Sequence, residues 1–155
     1  MEKGREELEM KTISYQMPIP LSEAKKSLSR LYMLAEAGLE IMITNKNSGW
    51  SNVSLVNSEI LTGIFNKLDV PLVETPDENL GGLTIAIPNL PIYGEGNTRE
   101  EAVEKLIDAV IEFREAYLDN LELYKRSESL DNKIIMMKLL RCGDDREAIR
   151  AALKV

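Results

Sequence analysis

The stretch IPNLPIYGEGNTREEAVEKLIDAVIEF, residues 87–113, joins a proline-bounded turn to the start of a long amphipathic helix. The apolar run LTIAI that leads into it and the run IYGEG within it predict the two strands of a hairpin. Pro88 and Pro91 have no backbone N–H to give to a ladder, so they are expected at the strand ends. Thr98 is the predicted N-cap of the helix, and Glu101 completes a capping box in which each side chain accepts a hydrogen bond from a backbone N–H. The stretch therefore predicts a small sheet that leads directly into a helix.

An apolar stripe carries the predicted helix well beyond this stretch, to about Arg126. Its members recur at spacings of three and four, as one amphipathic helix requires: Val103, Leu106, Val110, Phe113, Tyr117, Leu121 and Tyr124. At 1.5 Å per residue the helix would be roughly 40 Å long, more than a three-stranded layer can cover. The later part of the stripe must then be buried by the C-terminal segment, by a second copy of the chain or by another protein.

Two further helices are predicted at the C-terminus. LDNKIIMMKLLRC is opened by Ser127 or Ser129, and DDREAIRAALKV is opened by Asp144 after a glycine. The first is apolar nearly all round and is expected to be buried, although methionines also suit an adaptable binding surface. The candidate partner-binding residues are Tyr117, Leu121, Tyr124, Met136 and Met137.

The first 67 residues predict a separate order of strand, helix, hairpin and helix. A strand is expected at residues 11–16 and a helix from the N-cap Ser22 to a stop at Gly38. The segments LEIMITN and NVSLVN predict a hairpin, and Ser58 is the expected cap of a second helix. Residues 68–82 are rich in proline, glycine and acidic residues, which indicates a linker or an edge strand.

Composition excludes several classes of function. The 155 residues include no histidine and one cysteine, Cys142, so His-dependent nucleophilic catalysis, His-bearing zinc sites and an internal disulfide are excluded. No phosphate-binding glycine loop is present, and a carboxylate-based hydrolase is the only enzymatic alternative. We predict no enzymatic activity, no metal and no cofactor. The charged N-terminus MEKGREELEM and the absence of a long apolar run predict a cytoplasmic protein without a membrane anchor.

Charge is distributed unevenly along the chain. Residues 1–67 hold 8 basic and 8 acidic residues, whereas residues 68–127 hold 5 basic and 13 acidic residues. An acidic segment repels nucleic acid and attracts basic partners, although net negative charge also serves solubility alone.

Residues 82–113 resemble the HicB family of antitoxins. The residues that match its pattern of strand, proline turn, glycine-bearing strand end and helix start are Pro88, Leu90, Pro91, Gly94, Gly96, Thr98, Glu101 and Ala102. This resemblance implies a partial ribonuclease-H-like fold without catalytic carboxylates, which binds and covers a toxin.

The N-terminal half resembles the prevent-host-death (Phd/YefM) antitoxins from Ile13 to about Lys67. The matching segments are AEAGLEIMIT and VSLVNSE, together with the core pair Leu28 and Leu31. This resemblance implies a dimer that grips operator DNA, with basic residues near the first helix and the hairpin. The candidate DNA-binding residues are Lys25, Lys26, Arg30 and Lys46.

Together these patterns predict an α+β protein made of two small fused modules. The expected organisation is a Phd/YefM-like dimerisation and DNA-binding domain at 1–67, the linker or edge strand at 68–82, a HicB-like domain at 83–126 and C-terminal helices at 127–155. The predicted function is that of a type II antitoxin, a homodimer that neutralises a basic ribonuclease-type toxin and represses its own operon. The alternative is an orphan protein-interaction or small-ligand-binding module that keeps antitoxin-like folds without toxin or DNA.

Overall fold

The computed structural model describes residues 18–49, 51–79 and 81–155, and it confirms the α+β class with two small modules. The chain divides into two compact units, the first ending at Ile64 and the second running from Phe65 to Val155. Each unit contains one three-stranded sheet. The strand predicted at residues 11–16 lies outside the described residues.

In its described residues, 18–49 and 51–64, the first unit contains three short strands and three helices. In chain order they are β1 (Ile19–Pro20), α1 (Leu21–Lys26), α2 (Leu28–Glu36), β2 (Ile41–Thr44), β3 (Asn52–Leu55) and α3 (Ser58–Lys67), whose last residues belong to the second unit. β2 pairs in parallel with β1 and antiparallel with β3, which confirms the predicted hairpin. Its turn is a 3-10 segment, Lys46–Ser48. The core consists of Ala24, Leu31, Leu34, Ala35 and Ile41.

Two details of the first unit differ from prediction. The helix expected from Ser22 to Gly38 is divided at Ser27, whose hydroxyl donates to the Glu23 carbonyl 3.0 Å away. Such a local side-chain bond competes with continuous helix geometry. The predicted stop is confirmed, because Gly38 adopts φ +102°. The cap of α3 is Asn57, whose side chain accepts from the Glu59 N–H at 2.8 Å, so the prediction of Ser58 is wrong by one residue.

The second unit places an antiparallel sheet under a long helix. Its strands are β4 (Val73–Pro76), β5 (Leu83–Ile87) and β6 (Ile92–Gly96), in that order across the sheet. Its helices are α4 (Arg99–Asp119), α5 (Leu121–Ser127), α6 (Leu130–Leu140) and α7 (Arg146–Leu153). Both strands of the predicted hairpin are present, and Pro88 and Pro91 lie in the turn between them.

Glycine in β6 allows α4 to lie directly on the sheet. Gly94 stands opposite Ile85 on the face that α4 covers. A Cβ atom at Gly94 would lie 2.1 Å from the carbonyl oxygen of Ala102 and 2.2 Å from the amide nitrogen of Leu106. A larger residue at this position cannot fit without moving the helix, so the motif glycine has a packing role.

The start of α4 forms as predicted, but its end does not. The Thr98 hydroxyl accepts from the Glu101 N–H at 3.2 Å, and the Glu101 carboxylate accepts from the Asn97 N–H at 2.8 Å. The single helix predicted to about Arg126 is interrupted at Asn120, whose side-chain amide donates to the Ala116 carbonyl at 2.8 Å. The 21 residues of α4 therefore span roughly 31 Å.

The C-terminal helices complete the core of the second unit. Their buried apolar side chains are Ile135, Met136 and Leu139 from α6 and Ile149 and Leu153 from α7. Ser129, one of the two predicted residues, caps α6, whereas α7 is capped by Asp145 and not by Asp144. Among the described residues no helix is both long enough and apolar enough to cross a membrane.

Residues after α3 are fastened to these helices. The Lys138 ammonium donates to the Leu68 carbonyl at 2.5 Å, and Lys154 pairs with Asp69. Burial lowers the pKa of Lys138, and the hydrogen bond and charge of Lys154 lower the pKa of Asp69. The start of the proline-rich segment is thus held against α6 and α7, and β4 pairs with β5 further along. The domain boundaries drawn from sequence remain a prediction.

Candidate functional site

The second unit carries an open apolar groove of about 700 Å³ between the end of α4, α5 and α6, hereafter the α4–α6 groove. It is lined by Tyr117, Leu121, Glu122, Lys125, Lys133, Met136, Met137, Leu140 and Arg141. The helices converge here because the apolar stripe of α4 continues past its last turn, while α6 is apolar on more than one face. The groove therefore forms where α6 leaves part of that apolar stripe uncovered.

The structure brings all five predicted partner-binding residues to this region, but it divides them by exposure. Tyr117 and Met136 are buried, with 5% and 1% of their surface exposed, and form the floor. Leu121 and Met137 are 49% and 50% exposed and stand at the opening. Tyr124 lies half-buried beside the floor and stacks on Tyr117 with 4.6 Å between ring centroids. Of the predicted partner-binding residues, Tyr117 and Met136 are thus buried within the unit, whereas Leu121 and Met137 remain exposed to solvent.

An aromatic cluster fixes the floor of the groove. Phe113 lies 6.1 Å from Tyr117 and 5.8 Å from Tyr124, measured between ring centroids, in tilted and edge-on arrangements. Such geometries are favourable for aromatic pairs. Burial raises the pKa of Tyr117, so its hydroxyl stays neutral at physiological pH. The floor is therefore closely packed and uncharged.

The charge around the groove is mostly positive. Among the residues that line it, Lys125, Lys133 and Arg141 outnumber one carboxylate, Glu122, and Glu128 lies close enough for its charge to add to the raised pKa of Tyr117. Lys125 is 3.9 Å from the Glu122 carboxylate, and the Lys133 ammonium donates to the Lys125 carbonyl at 2.8 Å. The Arg141 guanidinium also lies 5.7 Å from the centre of the Phe65 ring. The rim therefore favours negative charge, although the surrounding sequence is acidic.

Much of the acidic charge of α4 is neutralised within the chain. Arg146 contacts the carboxylates of Glu104 and Asp108, each at 2.5 Å, and Arg150 contacts Glu100 at 3.1 Å and also Glu104. The hydrogen bond from Arg146 lowers the pKa of Glu104. These ion pairs were not predicted from the sequence. The signal was present, because acids four residues apart on α4 face arginines four residues apart on α7.

A second group of carboxylates stays exposed on α4. Glu112, Glu115 and Asp119 are spaced by three and four and therefore share one face of the helix. Glu115 and Asp119 each lie two positions from Tyr117, so they point away from the groove floor. The exposed acidic face and the groove are two different surfaces.

The first unit gathers most of the predicted DNA-binding residues at one end of its sheet. β1 and β2 run in parallel and end in register, with Pro20 beside Thr44. The helix that carries Lys25 and Lys26 and the turn that carries Lys46 consequently leave the same end of the sheet, and all three side chains are exposed. Arg30 lies half-buried on α2, further along the chain.

The first unit also exposes several large apolar side chains. They are Leu28, Tyr32 and Met33 of α2, Val53 of β3, and Ile60 and Ile64 of α3, with exposed fractions between 44% and 67%. Leu28, which sequence assigns to the core with Leu31, is thus exposed, and only Leu31 is buried. Leu28 and Tyr32 are four residues apart on α2, as are Ile60 and Ile64 on α3, so each pair shares one helix face.

The described part of the chain holds no cluster of three potential metal-ligating side chains. Cys142 is half-buried, and burial raises the pKa of its thiol, so little reactive thiolate forms near neutral pH.

Comparisons with known proteins agree with this architecture. A crystal structure described as the antitoxin part of a toxin–antitoxin system from Syntrophomonas wolfei subsp. wolfei superposes with a TM-score of 0.68. The alignment covers 88% of this chain and 96% of the other at 12% identity, which shows a shared fold. A search of curated proteins finds no match.

A sequence model of a protein family covers nearly the whole chain. It is described as PHD-like, antitoxin of toxin–antitoxin, RelE/RelB, TA system, and it matches residues 16–154, so it spans both compact units. Neither this match nor the structural one specifies a fusion with a HicB domain, which stays a prediction. The match over both units shows that the chain belongs to this PHD-like family of toxin–antitoxin antitoxins.

Proposed function

We propose that this antitoxin neutralises a cognate toxin through the α4–α6 groove of its second unit. The observation that carries the proposal is the exposure of Leu121 and Met137 above a closely packed apolar floor. In protein complexes most binding free energy comes from a few apolar or aromatic anchors that lose their water on association. Tyr117 and Met136 support these anchors from below, because both are already buried in the free chain.

We further propose that the toxin is a basic, ribonuclease-type protein. An enzyme that cleaves RNA must hold a polyanion and therefore carries positive charge. Residues 68–127 have 13 acidic and 5 basic residues, and Glu112, Glu115 and Asp119 remain exposed after the pairs with α7 are formed. Such a field speeds encounter with a basic partner and orients it, whereas the apolar anchors set the dissociation rate.

Rescue of bacterial growth from a toxin encoded beside this gene tests the proposal. Leu121→Glu and Met137→Glu place a charge on an apolar contact surface, so rescue should be lost while the fold, checked by circular dichroism, is retained. Leu123→Glu is the matched control, because Leu123 is 62% exposed on the same helix as Leu121 and does not line the groove. Rescue by both groove variants at normal abundance would place toxin binding elsewhere. If no neighbouring gene is toxic, the orphan interaction module becomes the better explanation.

We also propose that the first unit forms a homodimer that binds operator DNA and represses the operon. The exposed apolar side chains of α2, β3 and α3 support the dimer, and Lys25, Lys26 and Lys46 at one end of the sheet support phosphate contact. Each lysine or arginine on a phosphate steepens the fall of affinity with salt by about one unit of log–log slope.

The test of repression is the salt dependence of binding to the upstream operator. Replacing Lys25, Lys26, Arg30 and Lys46 together by Gln removes eight cations from the proposed dimer, so it should flatten the slope by up to about seven units. Lys67→Gln, far along the sequence on α3, serves as a control that should leave it nearly unchanged. The proposal of repression fails if the wild-type chain does not bind the operator, or if the fourfold variant keeps the full slope.

A further inference from the structure

The backbone of a bound segment has to satisfy its own hydrogen bonds in the α4–α6 groove. The described residues that line it all belong to helices α4, α5 and α6 or directly follow α6, and none lies on a strand. An extended peptide would find no ladder of N–H and C=O groups there, and an unpaired backbone group against an apolar floor costs free energy. A helix pairs its own backbone and presents only side chains, as in helix-in-groove recognition.

The charge at the rim selects what flanks the apolar contact. Three of the lining side chains are basic, Lys125, Lys133 and Arg141, and the one acidic lining side chain, Glu122, is already next to Lys125. A lysine or arginine brought to this rim would be repelled, whereas a carboxylate would be attracted and partly desolvated beside it. The rim therefore repels basic side chains of a partner, whereas the exposed acidic face of α4 attracts them.

Building on the proposed toxin complex, we infer that the groove receives an amphipathic helix of the toxin whose apolar stripe is bordered by Asp or Glu. The apolar stripe covers Leu121 and Met137, and the flanking carboxylates face Lys125, Lys133 and Arg141. The basic RNA-binding surface of the toxin therefore does not enter the groove. Discrimination among toxins follows from this arrangement, because a toxin helix with basic flanks is rejected at the rim.

Two synthetic helical peptides of about 16 residues test this inference directly. Both carry the same leucine stripe at spacings of three and four, and they differ only in having Glu or Lys beside it. Fluorescence anisotropy with the full chain should show the Glu peptide binding at least about tenfold more tightly, with a difference that narrows as salt is raised. Equal affinities, a preference for the Lys peptide, or no binding of either peptide would overturn the inference.

Charge-reversed variants locate the preference on the rim. Lys125→Glu should reduce or invert the preference, and Arg126→Glu is the matched control, because it changes net charge equally and does not line the groove. Met137→Glu should remove binding of the Glu peptide, while Leu123→Glu should leave it unchanged. An identical preference in Lys125→Glu and Arg126→Glu would refute a role for the rim.

Growth rescue separates this inference from the proposed function. If Leu121→Glu and Met137→Glu lose rescue but the peptides show no charge preference, the toxin uses the groove and the inference of an acidic helix is wrong. If the preference is present but both variants still rescue growth, the groove binds acidic helices and the toxin is not their source.

Discussion

Substituting Gly94 by alanine tests the contact that holds α4 on its sheet and thereby positions the groove. The new Cβ would lie 2.1 Å from the Ala102 carbonyl oxygen, 2.2 Å from the Leu106 nitrogen and 2.8 Å from the Leu106 Cα. All three are backbone atoms of α4, so no side chain can rotate away to make room. Restoring a separation of 3.0 Å from the carbonyl oxygen requires the helix to move by about 0.9 Å.

Moving α4 away from the sheet would loosen the packing of its buried side chains, and this loss sets the expected decrease in the free energy of unfolding. Four large side chains of α4, Val103, Leu106, Ile107 and Val110, are no more than 1% exposed. Burying each stabilises the fold by roughly 2 kcal/mol, about 8 kcal/mol together. A gap of 0.5–1 Å forfeits about a quarter to a half of the dispersion attraction across it. Dispersion is only part of that total, so the expected loss is about 1–3 kcal/mol, the usual range for overpacking a core and a large share of the stability of a unit of this size.

Urea unfolding followed by far-ultraviolet circular dichroism measures this loss, provided the slope of free energy against urea is unchanged. Gly63→Ala is the matched control. Gly63 lies in α3, a Cβ added there would meet no neighbouring atom within 4 Å, and its φ is not positive. Alanine there should stabilise the first unit by up to about 1 kcal/mol through helix propensity. A loss below about 1 kcal/mol for Gly94→Ala would refute the proposed close packing.

Two other perturbations probe the C-terminal helices. Deleting residues 128–155 removes five buried apolar side chains from the second unit: Ile135, Met136, Leu139, Ile149 and Leu153. The second unit should then unfold without cooperativity, and the truncated chain should aggregate in size-exclusion chromatography. A monodisperse truncated chain with an unchanged unfolding transition would contradict this. The pKa values of Glu104 and Asp69 are lowered in the fold, so their contribution to stability is complete above their unfolded pKa values and is lost as pH falls below roughly 4. The thermal midpoint should fall in that range, less steeply for Glu104→Gln, and an identical pH profile for this variant would show that the pairs with α7 contribute nothing.

Local signals in the sequence were sufficient for the strand, turn and helix start of the second unit. Pro88 and Pro91 exclude ladder positions, and Thr98 with Glu101 satisfies backbone donors that would otherwise lack partners, whatever surrounds them. The capping residue of a helix was harder to predict where two neighbouring residues both have suitable side chains. Asp144 and Asp145 offer the same chemistry, as do Asn57 and Ser58, and only the path of the chain decides between them.

Interruptions of helices could not be predicted from periodicity. The apolar stripe continues across Asn120, with Tyr117 before it and Leu121 and Tyr124 after it, so the sequence favours one helix. The break coincides with a bond from the Asn120 side-chain amide to the Ala116 carbonyl, a local contact that hydrophobic spacing does not reveal. Ser27 divides the first predicted helix by an equivalent bond to the Glu23 carbonyl.

Four of the nine residues that line the α4–α6 groove are among the nominated partner-binding residues, Tyr124 lies beside it, and their role in binding stays a prediction. Helical spacing places Tyr117, Leu121 and Tyr124 on one face, and the composition of α6 nominates Met136 and Met137. Which of them face solvent depends on where α6 crosses that face, a long-range property. The structure makes Leu121 and Met137 the accessible pair, so substitutions at Tyr117 or Met136 would test folding more than binding.

The local arrangement of charge, and not net charge, sets which charges each surface of this chain would favour in a partner. The acidic excess of residues 68–127 suggests one continuous surface for a basic partner, but Arg146 and Arg150 come from outside that segment and offset two of the three charges of Glu100, Glu104 and Asp108. Glu112, Glu115 and Asp119 stay exposed and point away from the groove, which is bordered by three cations and the carboxylate of Glu122. Long-range attraction and short-range recognition therefore favour opposite charges on a partner. A toxin that is basic overall and carries one acidic amphipathic helix meets both conditions, whereas a uniformly basic protein would be attracted to α4 and then rejected at the groove.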